Sequence, residues 1–428
     1  MRFAAGYGKV SPMNKSPIAL LLSVALLSAI LGSWPSSAKA SGSEKPTPVL
    51  IVYDGLAKGS SRGGNLEMIQ RLLAAYGAKV TFVSYDRYKS GTLQLFSNVI
   101  ALRNLPDSDI GNPDFVRDFD AYGGKYLHIG PDLPLQAQRQ LQAVTRPSGR
   151  NSAQLAIGPF SQTIRVEDMP YIASASGDPY GSLTFGDGDG QAPYAVKNGR
   201  FAYVPFMEAG NLSGLAIAYL LKDWMFEAGE GSTYLLFKEI YPFSDLQLLT
   251  QTADKLYDAG IPFIVSVRPV FVNTDYPAME RYLEALKYVQ SRNGSILVNA
   301  PVVASTVSGD DRTLPGKMER FIDVLAGHGI APLGLGADLY WSYDRLYSDE
   351  GMRFFDSAAL FASGETRYRS PADESRPFAS SPYTLPLGDL QRFEHRDKSV
   401  PSLPMDTAIT FDFSDDRQRM DDVIQRLL

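Results

Sequence analysis

From Val49 onward the chain alternates two hydrophobic patterns. Short unbroken apolar runs, VLIVYDG (49–55), AKVTFVSY (78–85), FSNVIAL (96–102) and KYLHIG (125–130), have the length and continuity of strands buried on both faces. Between them, LEMIQRLLAAYG (66–77) and PDFVRDFDAYGG (113–124) place apolar residues at helical spacing and stop at glycine. GRFAYVPFM (199–207) and LSGLAIAYLLKDWMF (212–226) add one more strand and one more helix. Strands and helices alternating at these lengths predict an α/β fold whose first part, residues 45–228, is a doubly wound parallel sheet.

A polar stretch, FEAGEGS (226–232), reads as a linker, and the alternation then resumes. The predicted strands are STYLLFKEI (232–240), IPFIVSVRPV (261–270), SILVNAP (295–301), IAPLGLGADLYWS (330–342) and TAITFDF (407–413). Amphipathic helices separate them at 245–260, 278–294 and 316–329, and a last helix closes the chain at 416–428. This second series, residues 229–428, predicts a (β/α) barrel interrupted by a long surface excursion at 366–402, rich in Pro, Ser and charge.

The first forty residues stand outside this pattern. Arg2, Lys9 and Lys15 precede an apolar run from Ile18 to Leu31, and Ala38-Lys39-Ala40 offers small residues at a cleavage position. These features predict a secretory signal peptide over residues 1–40, and an exported protein with no membrane span once it is removed. The chain has no cysteine, which excludes disulfides and thiolate metal sites. Four of its basic residues and none of its acidic ones lie in 1–40, so the formal charge of -6 becomes -10 without that segment. Such a balance speaks against nucleic acid or anionic surfaces as partners. The 23 Tyr and 22 Phe are compatible with sugar polymers, whose ring faces stack on aromatic ones.

The carboxyl ends of strands carry the sites of α/β proteins, which directs attention to the residues that end each apolar run. In the first part, GSSRGGN (59–65) matches neither glycine-rich nucleotide fingerprint, and Asp54, Arg62 and Asn65 line the crevice where a ligand would bind. FGDGDGQ (185–191) has aspartates at calcium-loop spacing without the later bidentate Glu, and reads as a hairpin turn. In the second part, the apolar run Tyr234–Phe237 ends abruptly in Lys238 and Glu239.

The order IYPFSD, LLTQTADKLYDAGIPFIVSVRPV, YLEALKYVQSRNGSILVNAP over residues 232–360 resembles a bacterial family of unassigned function. That family is related to the NodB-type polysaccharide deacetylases of carbohydrate esterase family four. The resemblance implies a deacetylase-like (β/α) barrel, preceded in some relatives by an α/β domain, here a flavodoxin-like one. Active deacetylases hold a divalent metal with one Asp and two His, and use a second Asp and a later His for proton transfer. At the matching positions this chain has Lys238 for the general base and Glu239 for the metal aspartate. Asn299 and about Val303 replace the two metal histidines, and the later histidine falls near Asp338. His128, His328 and His395 lie on separate elements, so no metal or other cofactor is expected.

Two functions are consistent with these residues. One is an exported deacetylase-like protein without metal-dependent hydrolysis, binding an envelope or extracellular polysaccharide, or an envelope protein. It would bind through Lys238, Arg268, Asn299, Tyr340, Trp341 and Tyr343. The other is an active carbohydrate hydrolase, either with non-standard ligands or with Glu239 and Asp338 as a glycosidase pair.

Overall fold

A computed structural model describes residues 46–428 apart from 106–110, 168, 187–189, 269–274, 302–312, 345–346, 363–373, 396–402, 415 and 428. The predicted signal segment, Val303, the two ends of the predicted excursion (366–373 and 396–402) and the centre of the 185–191 turn therefore lie outside the described residues, as do the side chains of Tyr340 and Trp341. Residues 46–428 form one compact unit.

The first four strands are β1 (Pro48–Tyr53), β2 (Lys79–Ser84), β3 (Asn98–Leu102) and β4 (Lys125–Ile129). They pair in parallel in the order β2-β1-β3-β4. Alternate residues of β1 enter different layers of the core. Leu50 and Val52 join a cluster with Phe115 and Phe119 of helix α2 (Pro113–Ala121), whereas Val49 and Ile51 pack with Leu66, Ile69 and Leu72 of α1 (Asn65–Ala75). Burial on both faces is why these strands read as unbroken apolar runs.

Beyond β4 the sheet departs from the expected all-parallel form. After α3 (Leu135–Leu141) come β5 (Val144–Pro147), β6 (Ser152–Ile157), β7 (Phe160–Arg165), β8 (Pro170–Ser174), β9 (Asp178–Thr184), β10 (Gln191–Asn198) and β11 (Phe201–Val204). Strand β11 adds in parallel to β4, but β10, β9, β6 and β7 continue antiparallel, and β5 pairs with β8 in a separate ribbon. Among these strands β6 alternates exposed with buried positions over Ser152–Ile157, because one of its faces meets water. Short polar strands joined by glycine turns give weak apolar runs, which is why the sequence signal missed them. The flanks of the 185–191 turn, Thr184 and Gln191, do pair antiparallel, and Phe185 donates its N–H to the Gly190 carbonyl at 3.2 Å.

After α4 (Leu212–Leu220), the strands β12 (Thr233–Ile240), β13 (Phe263–Val267), β14 (Gly294–Asn299), β15 (Gly334–Asp338), β16 (Ala358–Phe361), β17 (Tyr383–Pro386) and β19 (Thr407–Asp412) close into an all-parallel barrel of seven strands. Helices α5 (Leu246–Asp258), α6 (Pro277–Ser291) and α7 (Thr313–Gly327) follow β12, β13 and β14. Closure is made by β19 lying between β17 and β12, with Thr233 opposite Thr407 and Lys238 opposite Asp412.

The missing number in that order, β18 (Glu394–His395), leaves the barrel and pairs antiparallel with Phe160 and Ser161 of β7, becoming the outermost strand of the large sheet. Ser375 likewise exchanges two hydrogen bonds with the backbone of Val80 on β2. Where it is described, the predicted excursion is thus stitched to the first half of the chain. A further link is Arg71 of α1, which donates to the Thr384 carbonyl at 2.7 Å and lies 4.8 Å from the centroid of the Tyr383 ring. The core follows suit, with side chains from the sheet, α1, α4 and the barrel in one contiguous cluster.

Candidate functional site at the barrel mouth

Inside the barrel sits a small apolar cluster, Leu236, Leu297, Ala359 and Ala408, with Ile264 and Phe361 against it. Strand side chains alternate with a period of two, so the next inward positions toward the carboxyl end are Lys238 on β12, Ser266 on β13 and then Arg268 just beyond it, Asn299 on β14, Gly336 and Asp338 on β15, and Asp412 on β19. The interior therefore turns from apolar to charged within one layer.

Ser266 and Asn299 are buried, and the Ser266 hydroxyl hydrogen-bonds the Asn299 carboxamide oxygen. Any side chain at position 336 would overlap both groups, which is why a glycine stands there. Asn299, expected to contact substrate, instead has its carboxamide oxygen tied beneath the mouth.

Glu239 departs from the alternation. Phe237 pairs with Val265 and Ile240 with Val267, so Lys238 and Glu239 together face the one residue Ser266. This is a bulge, and Glu239 takes a left-handed backbone with φ of 60°. Parity would have sent Glu239 away from Lys238. The bulge instead lets its carboxylate accept from Arg268 Nη2 at 2.8 Å and from the Tyr241 hydroxyl at 3.3 Å. Tyr282 fixes the strand just beyond by donating its hydroxyl to the Ile240 carbonyl at 2.7 Å, and the Arg268 N–H bonds that same carbonyl at 2.9 Å. A non-glycine residue held in this conformation stores strain of about 1 kcal/mol or more, and such strain gathers at functional sites.

Lys238 does not pair with its neighbour. Its ammonium reaches Asp412 Oδ1 at 3.0 Å and lies 5.7 Å from the centroid of the Phe361 ring. Asp338 is half-buried at the end of β15, and its carboxyl is raised above the ordinary carboxylate range. Burial is the largest cause, the Glu239 charge adds to it, and Arg268 and Lys238 oppose it. Sequence-predicted Lys238, Glu239, Arg268 and Asp338 thus share one electrostatic environment at one mouth. The Tyr241 phenol, which the sequence pattern did not single out, is also raised, first by burial and then by Glu239.

Tyr343 is a correction. It was expected on the binding face, but only 4 % of it is exposed, and its ring packs edge-on against Phe82 of β2 at 5.1 Å. The 3₁₀ turn Leu339–Tyr343 carries it away from the mouth and into the joint with the large sheet.

A deacetylase metal does not fit these residues. Lys238 and Arg268 bring two cations to the mouth, and the imidazoles lie elsewhere. His128 is buried in the large sheet, with Nε2 donating to the Pro131 carbonyl at 2.6 Å and Nδ1 accepting from Tyr126 at 3.2 Å. Burial lowers its pKa to about 4. His328 Nδ1 donates to the Val324 carbonyl at the end of α7, and His395 sits on β18. Among the described residues no three metal-donor side chains gather.

The crevice at the ends of β1 and β3 is filled by its own side chains. Asp54 accepts the N–H groups of Asn104 and Leu105 at 2.8 and 3.0 Å and pairs with the buried Arg103 at 3.2 Å. Arg62 and Asn65 both bond Asn104. The space left is about 10 Å³, room for no more than a water.

No family model matches the chain. It is 35% identical over 92 residues to the uncharacterized protein YdaL of Bacillus subtilis, a match covering 20% of this chain and 16% of that protein. Among solved structures, the glycoside hydrolase family 30 subfamily 8 xylanase Xyn30A of Clostridium acetobutylicum aligns at 12% identity with a TM-score of 0.23. That alignment covers 32% of this chain and 53% of the xylanase, and it is too loose to bear on fold or activity. No helix among the described residues is long and apolar enough to cross a membrane.

Proposed function

We propose that the barrel mouth is a carbohydrate-hydrolysing site that works through two carboxylates, with Asp338 as proton donor and Glu239 as nucleophile or base. The observation that carries this reading is the unequal environment of the two groups at one mouth. Asp338 is desolvated and holds its proton more tightly, whereas Glu239 is gripped by a guanidinium and a phenol on a strained bulge. A carboxyl that holds its proton more tightly, beside a second carboxyl oriented by fixed partners, supplies the two groups that acid and base catalysis uses. Cleavage of a glycosidic bond needs this pair and no metal: one carboxyl protonates the departing oxygen while the other attacks the sugar or activates water. A separation of roughly 5 to 5.5 Å in the substrate complex would give retention, and roughly 6.5 to 9.5 Å inversion.

The test is release of nitrophenol from a panel of aryl glycosides, with Glu239→Gln and Asp338→Asn as variants. Loss of about a thousandfold or more in both supports the pair. Turnover that survives either substitution removes it.

A second reading keeps the same face but not the chemistry: a deacetylase-like protein that binds a polysaccharide or an envelope protein without turnover. It is favoured by Lys238 and Asn299 standing where the resembling family's metal chemistry needs a carboxylate and an imidazole. Both readings take residues 1–40 as a signal peptide of an exported protein, and residues 45–228 as a flavodoxin-like domain supporting a deacetylase-like barrel. Sequencing the amino terminus of the protein recovered from culture medium or envelope tests the export; an uncut chain in the cytoplasm removes it.

A further inference from the structure

Beside the mouth runs an open groove of about 1150 Å³, between the turn after β12, the first turns of α5 and one face of α6. That exceeds the roughly 300 to 1,000 Å³ typical of pockets for single small molecules. Its rim carries two of the most exposed aromatic side chains of the described residues, Phe243 at 76 % and Tyr276 at 56 %. Phe243 is held in place rather than adrift. Its ring stacks on Tyr241 with centroids 4.7 Å apart and planes 16° from parallel. The turn bearing it is closed by two bonds, Tyr241 N–H to Ser244 Oγ and Ser244 N–H to the Tyr241 carbonyl, each 3.1 Å. Tyr241 in turn donates to Glu239. An unbroken line of contacts therefore joins the groove to the carboxylate at the mouth.

We infer that this groove binds the flanking residues of a neutral polysaccharide chain, with the Phe243 and Tyr276 rings as stacking platforms, so that the substrate of the mouth is a polymer rather than a small glycoside. The inference rests on the carbohydrate reading of the mouth. Its chemistry is that of the groove lining: ring faces for the C–H faces of pyranoses, and Gln247 and Thr250 for their hydroxyls. One arginine and one glutamate, Arg281 and Glu284, balance each other, so the groove offers no net attraction to a charged polymer. Gln247, Thr250, Arg281 and Glu284 set polar groups among the apolar lining, which the hydroxyls of a sugar chain can meet and the apolar face of an amphipathic helix cannot.

The experiment is affinity electrophoresis of the full purified chain in native gels cast with hydroxyethyl cellulose, glycol chitin or mannan. Variants are Phe243→Ala, Tyr276→Ala and the pair. Both side chains are largely in water, so unchanged circular dichroism and melting serve as the folding control. The expected result is retardation by at least one polymer, with the apparent dissociation constant raised tenfold or more in the double variant. No retardation by any of the three, or retardation that the double variant keeps, overturns the proposal. A dimer that dissociates in the double variant without polymer retardation also overturns it, in favour of a second copy of the chain. Aryl glycoside turnover by the unsubstituted chain is read in parallel. Retardation without turnover sinks the hydrolytic mouth and leaves the groove, and turnover without retardation does the reverse.

Discussion

Ser266 hydrogen-bonds Asn299 across the barrel interior directly against the bare backbone of Gly336. Gly336→Ala would drive a methyl group into both polar groups, and overpacking of this kind costs about 1 to 3 kcal/mol. Urea unfolding should show that loss. Combining it with Asn299→Ala should return part of the loss, because the nearer of the two obstructing groups is then gone. Equal destabilisation in both backgrounds would mean that the glycine serves something else.

The bulge makes a prediction in which the function-bearing residue is not the most stable choice. At φ of 60°, glycine avoids a penalty of about 1 kcal/mol that alanine or glutamate meets. Both Glu239→Gly and Glu239→Ala lose the Arg268 contact, so their difference isolates the backbone. Glu239→Gly should be more stable than Glu239→Ala by about 1 kcal/mol in denaturant titrations. No difference would show the backbone to be relaxed there.

Asp338 ties stability to pH with a definite sign. Its carboxyl is raised above the ordinary 3.8, so the folded chain holds that proton more tightly than the unfolded one. Its contribution is full below 3.8 and lost as pH rises through the raised folded value. Against Asp338→Asn, which cannot ionise, the unsubstituted chain should therefore fall behind with rising pH across that window, then run parallel. Denaturant titrations of both proteins at matched pH values check this. A gap that is constant, or that widens toward acid, refutes the assignment.

Much of this was written in the hydrophobic pattern. The unbroken runs gave β1 and β3, since burial on both faces leaves little room for polar positions that would confuse the period. Lys238 and Asp338 could be placed by counting two residues on from buried Leu236 and Gly336. Glu239 could not, because a bulge reverses parity and nothing local announces it. Tyr343 misled for a related reason: the sequence showed a strand running to Ser342, whereas β15 stops at Asp338 and a 3₁₀ turn redirects the chain beyond it. The antiparallel half of the sheet was obscured by short polar strands whose partners are fixed by distant contacts. Tyr241 carried no pattern signal at all and becomes significant once the turn brings its hydroxyl back to Glu239.

The two halves of the chain should unfold together. One hydrophobic cluster runs through both, and Arg71 bonds Thr384 while covering the Tyr383 ring. Calorimetry should give a single transition, and Arg71→Ala should lower it by an amount equivalent to about 1 to 3 kcal/mol, because it leaves a part-buried carbonyl without its charged donor. Two separate transitions in the unsubstituted chain would contradict the shared core.

Strand β19 lies between β17 and β12, so the first barrel strand made acquires its second neighbour only when the last one emerges. During synthesis the Thr233–Lys238 edge stays open while some 170 residues are added, over roughly ten to thirty seconds at typical elongation rates. Strand β18, which caps the outer edge of the large sheet, also arrives late. The nascent chain thus passes through a period with two bare sheet edges, and a ribosome stalled before Thr407 leaves a product primed to pair with its own kind. Whatever holds such edges apart in the cell is as much a condition of this fold as the residues that line its barrel.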